Sequence, residues 1–229
     1  MKLKRDVITQ VISYCNRDLV PDSLFNIDTE YPSEWFVKYF SFLDDAKLEK
    51  YLGEAFYEAR FLYKLMASLK LPMAKHRGIV RFQIIQYASI CEAVLQATIE
   101  SFYKDEFEGQ YAVTELVKYT NALSNKTKIT HNGTSLHLCR EKRVKADIKR
   151  TRMDFKTDFA VNHNIISVAT KNAFDALYDS RNNIHILKAA NNNYIPKLSE
   201  SKDAFLLMQT LVGEVKDFYI QMKSGTNIS

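Results

Sequence analysis

The stretch HRGIVRFQIIQYASICEAVLQATIESFYKD, residues 76–105, contains a single glycine and no proline, and apolar residues occupy most of its helical circumference. A helix of about seven turns that is apolar nearly all round has to be enclosed by other elements, so this segment predicts the centre of a helical core. The rest of the chain agrees. Six Gly and four Pro among 229 residues leave little turn material for an all-β architecture, and a 46% hydrophobic share is enough for a sizeable core. The expected fold class is mostly α.

Flanking segments repeat the helical period. Val7, Ile8, Val11, Ile12 and Cys15 predict a helix over about 4–18. Ser33 is placed to cap EWFVKYFSFL, and Asp44 or Asp45 to cap a longer helix whose stripe is Leu48, Leu52, Ala55, Ala59, Leu62 and Met66. Residues 104–170 are less regular. Within KTKITHNGTSLHL, Asn132-Gly133 is the preferred centre of a two-residue type I′ turn, which predicts a short β-hairpin near 126–138 with Ile129 opposite Leu136 and Thr127 opposite Leu138. A helix near 141–161 is expected next, then one covering FDALYDSRNNIHILKAA (174–190) with Ser167 or Thr170 at its cap, then a closing helix, DAFLLMQTLVGEVKDFYIQMK. The final SGTNIS is expected to fray.

Charge is uneven along the chain. Residues 1–110 hold 14 Lys and Arg against 16 Asp and Glu, whereas residues 111–229 hold 18 against 11. Much of the excess lies in REKRVKADIKRTRMDFK, residues 140–156, with 8 basic and 3 acidic side chains. A run of this kind is either a solvated face or a surface for a phosphate backbone, and on the second reading Lys142, Arg143, Lys145, Lys149, Arg150 and Arg152 contact RNA. Cys15, Cys91 and Cys139 lie far apart with no CxxC spacing, and His131, His137 and Cys139 lack an obvious fourth ligand, so neither a disulfide framework nor a metal site is expected. No Gly-rich phosphate loop is present, and no cofactor is expected. The early charges of MKLKRDVITQVISYCNRD argue against a secretory signal, and no apolar run reads as a membrane span. The expected location is the cytoplasm, with no membrane partner.

The segment 174–190 poses a chemical question. On a helical wheel, Arg181 and His185 fall inside an arc with Ala173, Phe174, Leu177, Tyr178, Ile184 and Leu187, while Asn172, Asp175, Asp179, Asn182 and Asn183 fill the other side. An arginine in an apolar arc needs a counter-charge. Glu92, between Cys91 and Ala93 on the core helix, is equally out of place, and the two can satisfy each other. Two readings follow. One is a structural ion pair beside a satisfied core histidine. The other is a polar cleft in which Arg181 neutralises a scissile phosphate and His185 moves a proton, chemistry suited to RNA cleavage without a metal.

The order of residues in LYDSRNNIHI, late in a helical chain and followed by a polar loop and one closing amphipathic helix, resembles the HEPN superfamily (higher eukaryotes and prokaryotes nucleotide-binding domain). Arg181, Asn182 and His185 match its arginine, polar residue and histidine in a short R-N-x-x-H form, and the helix carrying Glu92 is similar to the family helix that packs an acidic residue against the motif. The resemblance implies one helical domain over 1–229: an added helical layer at 1–75, a HEPN-like bundle at 76–222 holding the hairpin and basic insertion, and a frayed tail at 223–229. It also implies a metal-independent endoribonuclease in a toxin or antiphage setting, a homodimer through the Arg181/His185 helix, and an antitoxin or regulatory protein as partner. The alternative is a catalytically inactive helical adaptor of the same shape.

Overall fold

A computed structural model describes residues 5–17, 33–68, 73–118, 129–136, 139–184 and 186–225. In chain order the first half runs α1 (Arg5–Arg17), α2 (Ser33–Lys38), a 3-10 turn (Ser41–Leu43), α3 (Ala46–Ser68), α4 (Met73–Phe102) and α5 (Lys104–Gln110). Four short strands follow: β1 (Val113–Lys118), β2 (Ile129–His131), β3 (Thr134–Leu136) and β4 (Cys139–Val144). The chain then returns to helix with α6 (Met153–Asn162), α7 (Val168–Asn183), α8 (Ile186–Asn191) and α9 (Leu198–Ser224). The protein is mostly α. It divides into two compact units, one made of Met1–Thr98 with Met153–Ser229 and the other of Ile99–Arg152.

In the first unit α4 is the core helix that its composition demands. Val80, Ile84, Tyr87, Ala88, Ile90, Cys91, Val94 and Leu95 are all buried. The expectation that no apolar run reads as a membrane span is corrected, since Arg77–Phe102 is long and apolar enough to cross a membrane by length and composition, but half of its most apolar window is buried inside the protein. Core packing accounts for that apolarity. Gln83, fully buried, ties three helices together: its amide donates to the Ala59 carbonyl of α3 at 3.0 Å and accepts from Ser201 Oγ of α9 at 2.7 Å. Both polar atoms of the Gln83 amide are thereby re-bonded.

Helix α3 starts where the Asp44/Asp45 pair predicts, with Asp45 as the acceptor for Lys47 N and Leu48 N, both at 3.0 Å. Its stripe is buried at Leu52, Ala59 and Met66 and half-buried at Leu48, Ala55 and Leu62. Gly53 lets α2 approach closely, since a Cβ there would sit 2.7 Å from the Val37 backbone nitrogen. At that crossing Phe36 and Phe56 meet edge to face at 4.9 Å. Ser167, not Thr170, caps α7: its Oγ accepts from Thr170 N at 3.1 Å, while Glu214 of α9 accepts from Ser167 N at 2.9 Å and from Thr170 Oγ1 at 2.8 Å. Helix α9 begins at Leu198, earlier than its apolar periodicity suggests, because Glu200 turns back to accept from Lys197 N at 2.8 Å. It ends on Gly225 at φ 69°, and residues 226–229 of the expected frayed tail lie outside the described residues.

The second unit holds the strands. The hairpin has the expected register, Ile129 opposite Leu136, and both turn residues take the left-handed conformation that type I′ requires, Asn132 at φ 50° and Gly133 at φ 79°. Thr127 and Leu138 lie outside the described residues. The helix expected near 141–161 is corrected: residues 139–144 are strand β4, antiparallel to β1 with Val113 opposite Val144 and Lys118 opposite Cys139. Only Met153–Asn162 of that span is helical. The segment Arg140–Val144 has no apolar stripe to dock a helix, whereas β1 offers it a full ladder of backbone partners. After β4, Asp147 stops the chain in a turn, its carboxylate accepting from Lys149 N at 2.9 Å and its carbonyl from Arg150 N at 3.0 Å.

Candidate functional site

Arg181 sits in the last turn of α7, where the carbonyl end of the helix favours a cation. Its Nη1 donates to Glu92 Oε2 on α4 at 2.8 Å, so the pairing inferred from two misplaced charges is present. The guanidinium also lies over the Tyr178 ring, 5.3 Å from its centroid and one turn back on the same helix. Tyr178 fixes one face of Arg181 and Glu92 one edge.

The pair is less buried than the helical wheel implied. The Arg181 and Glu92 side chains keep 28% and 31% of their accessible surface. That exposure separates a reachable site from a sealed ion pair. Among the described residues Glu92 is the one group that Arg181 hydrogen-bonds, through one of the two terminal nitrogens of its five-donor guanidinium. An arginine oriented by a carboxylate and an aromatic face, with its outer edge in water, is suited to hold a phosphate.

The other members of the motif are placed differently. Helix α7 ends at Asn183, Ile184 closes it through a bond from its N–H to the Arg181 carbonyl, and α8 begins at Ile186. The single continuous helix expected through 174–190 is therefore corrected to two, α7 ending at Asn183 and α8 beginning at Ile186, and His185 lies outside the described residues. Asn182 is half-buried and makes no side-chain hydrogen bond among the described residues, so nothing there shows it orienting Arg181. Phe174, Leu177 and Ile184 form the buried edge of α7, while Ala173, placed in the apolar arc by the wheel, is exposed.

No protein-family model, curated protein or solved structure matches this chain.

The six basic residues all belong to the second unit, whereas Glu92, Arg181 and Asn182 belong to the first. Every one of the six is exposed. They do not form one face: in the β1–β4 ladder Arg143 stands opposite Thr114 and Lys142 opposite Glu115, and successive residues point to opposite sides. Several are already engaged. Lys145 Nζ reaches Asp105 at 2.7 Å, Arg150 Nε reaches Asp147 at 3.4 Å, and Arg143 Nη2 donates to the Gly109 carbonyl at 3.3 Å. The hydrogen bond and charge of Lys145 hold the Asp105 carboxyl below its ordinary range, and Asp105 in turn raises Lys145. Lys142 and Lys149 have no ion-pair partner among the described residues. His131 and Cys139 are exposed on β2 and β4, and His137 lies outside the described residues.

One feature of α7 escaped the sequence reading. Ala173, Ala176, Leu177 and Ser180 line a cavity of about 230 Å³ closed by Ile84 of α4 and by Glu200, Asp203, Ala204 and Leu207 of α9. The small residues at positions 173, 176 and 180 were its signal, three and four apart on one helical face.

Proposed function

We propose that this protein is a metal-independent endoribonuclease of the HEPN type, a helical bundle over 76–222 with the basic ribbon as its insertion. The observation that carries the reading is the half-exposed Arg181, held by Glu92 at 2.8 Å in the last turn of α7, where the R-N-x-x-H segment begins. In the reaction a ribose 2′-hydroxyl attacks the adjacent phosphorus, its proton passing to an imidazole. The P–O5′ bond breaks, and the leaving oxygen takes a proton from a second acid, giving a 2′,3′-cyclic phosphate and a 5′-hydroxyl. Arg181 stabilises the charge on the pentavalent phosphorus, Glu92 positions Arg181, His185 is the proton carrier, and Asn182 contacts the substrate. One Arg181/His185 pair offers one imidazole, so the acid and the base come from two copies. The protein acts as a homodimer that joins its Arg181/His185 segments across a two-fold axis. The resemblance supports a toxin or antiphage setting in the cytoplasm, held in check by an antitoxin or regulatory protein.

Purified protein incubated with single-stranded and structured RNA in EDTA is the test. Cleavage with cyclic-phosphate ends, lost in both His185→Ala and Arg181→Ala, is the expected result. Cleavage abolished by the chelator, or retained in both variants, would end the assignment. Light scattering at micromolar concentration tests the dimer. A second reading, a catalytically silent helical adaptor, is favoured by the end of α7 at Asn183, short of the continuous helix expected through 174–190. A folded protein that binds RNA or a protein partner but never cleaves RNA selects it.

A further inference from the structure

Away from the Arg181–Glu92 pair, another arginine in the helical unit has no ion-pair partner among the described residues. Arg60 of α3 is half-buried, with its guanidinium 4.3 Å above the Phe205 ring centroid and 5.4 Å from that of Tyr63. Its charge opposes the rise that burial gives the Tyr87 phenol. Among the described residues it has no carboxylate partner: Glu58, nearest in sequence, accepts from Gln86 at 3.4 Å, and Glu54 pairs with Lys50 at 3.9 Å. Arg60, Tyr63, Tyr87, Lys202, Phe205 and Leu206 line a cavity of about 200 Å³, whose rim carries the exposed Lys202. Ser201 also lines it, and its hydroxyl is already donated to Gln83.

Two cations and no acidic side chain line this cavity among the described residues. Aromatic faces hold Arg60 in place but do not neutralise it, and a desolvated guanidinium is best completed by an anion that meets its fork. With a lysine at the rim, the matching charge is a dianion, and a phosphate monoester is close to dianionic near neutral pH. The space is below the range of about 300–1,000 Å³ typical of whole drug-sized ligands, so it suits the end of a ligand. We propose that this cavity binds a phosphate monoester, with Arg60 and Lys202 on the phosphate and Tyr63, Phe205 and Leu206 walling the apolar group that bears it. The site is independent of the Arg181 pair and does not rest on the ribonuclease reading.

Titration calorimetry of the full-length protein with phenyl phosphate, inorganic phosphate and benzyl alcohol tests it. Phenyl phosphate should bind saturably, inorganic phosphate more weakly and benzyl alcohol not at all. Arg60→Gln and Lys202→Gln should each weaken phenyl phosphate by about tenfold, the effect of one charge-assisted contact. Arg181→Ala should leave it unchanged. No saturable binding of phenyl phosphate at millimolar concentration overturns the proposal, as does binding that both variants retain or that Arg181→Ala removes. Lys202 is exposed, so its variant carries the test even if Arg60→Gln fails to fold. A free metabolite and a phosphorylated nucleic-acid end share this chemistry. Adenosine monophosphate binding alone assigns the first, and a 5′-phosphorylated tetraribonucleotide binding alone assigns the second.

Discussion

Gln83 and Glu92 are polar intrusions on the same apolar helix, and their surroundings make them opposites. Gln83 is sealed, with its amide spent at both ends, one on the Ala59 carbonyl and one on Ser201. Glu92 keeps a third of its surface and spends one oxygen on Arg181. A buried polar group with every atom satisfied is a rivet. A half-open ion pair is available for chemistry. Burial and bond count separate the two roles, whereas residue type does not.

The sharpest way to break this comparison is to remove Arg181. If the pair is catalytic, Arg181→Ala should lower RNA cleavage by about 10²–10³-fold, the usual loss when a transition-state donor is deleted. Its cost in stability should stay below about 1 kcal/mol, since the pair is partly solvated. Denaturant midpoints and cleavage rates on the same preparation check both. A large loss of stability with unaltered cleavage would make Glu92–Arg181 another rivet.

Gln83→Leu should show the reverse. It strands the Ala59 carbonyl and the Ser201 hydroxyl in the core, which costs about 2–3 kcal/mol, while the cleavage rate of the folded fraction stays unchanged. Urea unfolding measures the first, and a cost under about 0.5 kcal/mol would mean that other partners satisfy these groups.

The ribbon invites a finer test. Lys142 and Lys149 lack ion-pair partners among the described residues, whereas Lys145 is held by Asp105 and Glu108 at 2.7 and 3.8 Å. Lys142→Gln with Lys149→Gln should therefore weaken RNA binding at low salt and flatten the slope of log K against log salt by roughly 0.7 per lost single-strand contact. Lys145→Gln should change it less. Fluorescence anisotropy across a salt series reads both, and equal effects would return the ribbon to a plain solvated surface.

The smallest expected effect concerns pH. Burial pushes the Tyr87 phenol up to about 12, partly opposed by the Arg60 charge. Its folded pKa exceeds the ordinary value of 10.0, so the neutral phenol is favoured by folding. That contribution is intact below about pH 10 and fades as pH rises towards 12. Tyr87→Phe should lose stability less steeply over that interval than the parent protein, as followed by urea unfolding at several pH values. Parallel curves would show that Tyr87 does not titrate differently in the two states.

Much of this fold can be read from local rules. The enclosure of α4 follows from its all-round apolarity, the Asp45 cap from an aspartate before an amphipathic run, and the hairpin turn from Asn132-Gly133, because each depends on residues within a turn of one another. The Arg181–Glu92 contact was also legible, since two charges on apolar faces each require a partner and the chain offered this pair. The basic segment was not. Helix and strand are both open to Arg140–Val144, and the choice went to the strand because Val113–Lys118, far back in the sequence, supplied its hydrogen bonds. The end of α7 at Asn183 was equally hidden, since Arg181 to Leu187 keeps a helical period beyond it. Sequence by itself determined what is set by neighbours along the chain: period, cap, turn and the need for a counter-charge. Tertiary structure decided which distant strand pairs with which, how far Arg181 and Glu92 stand open to water, and that Arg60 lines a cavity with no acidic side chain among the described residues. Those outcomes depend on contacts between residues that only packing brings together.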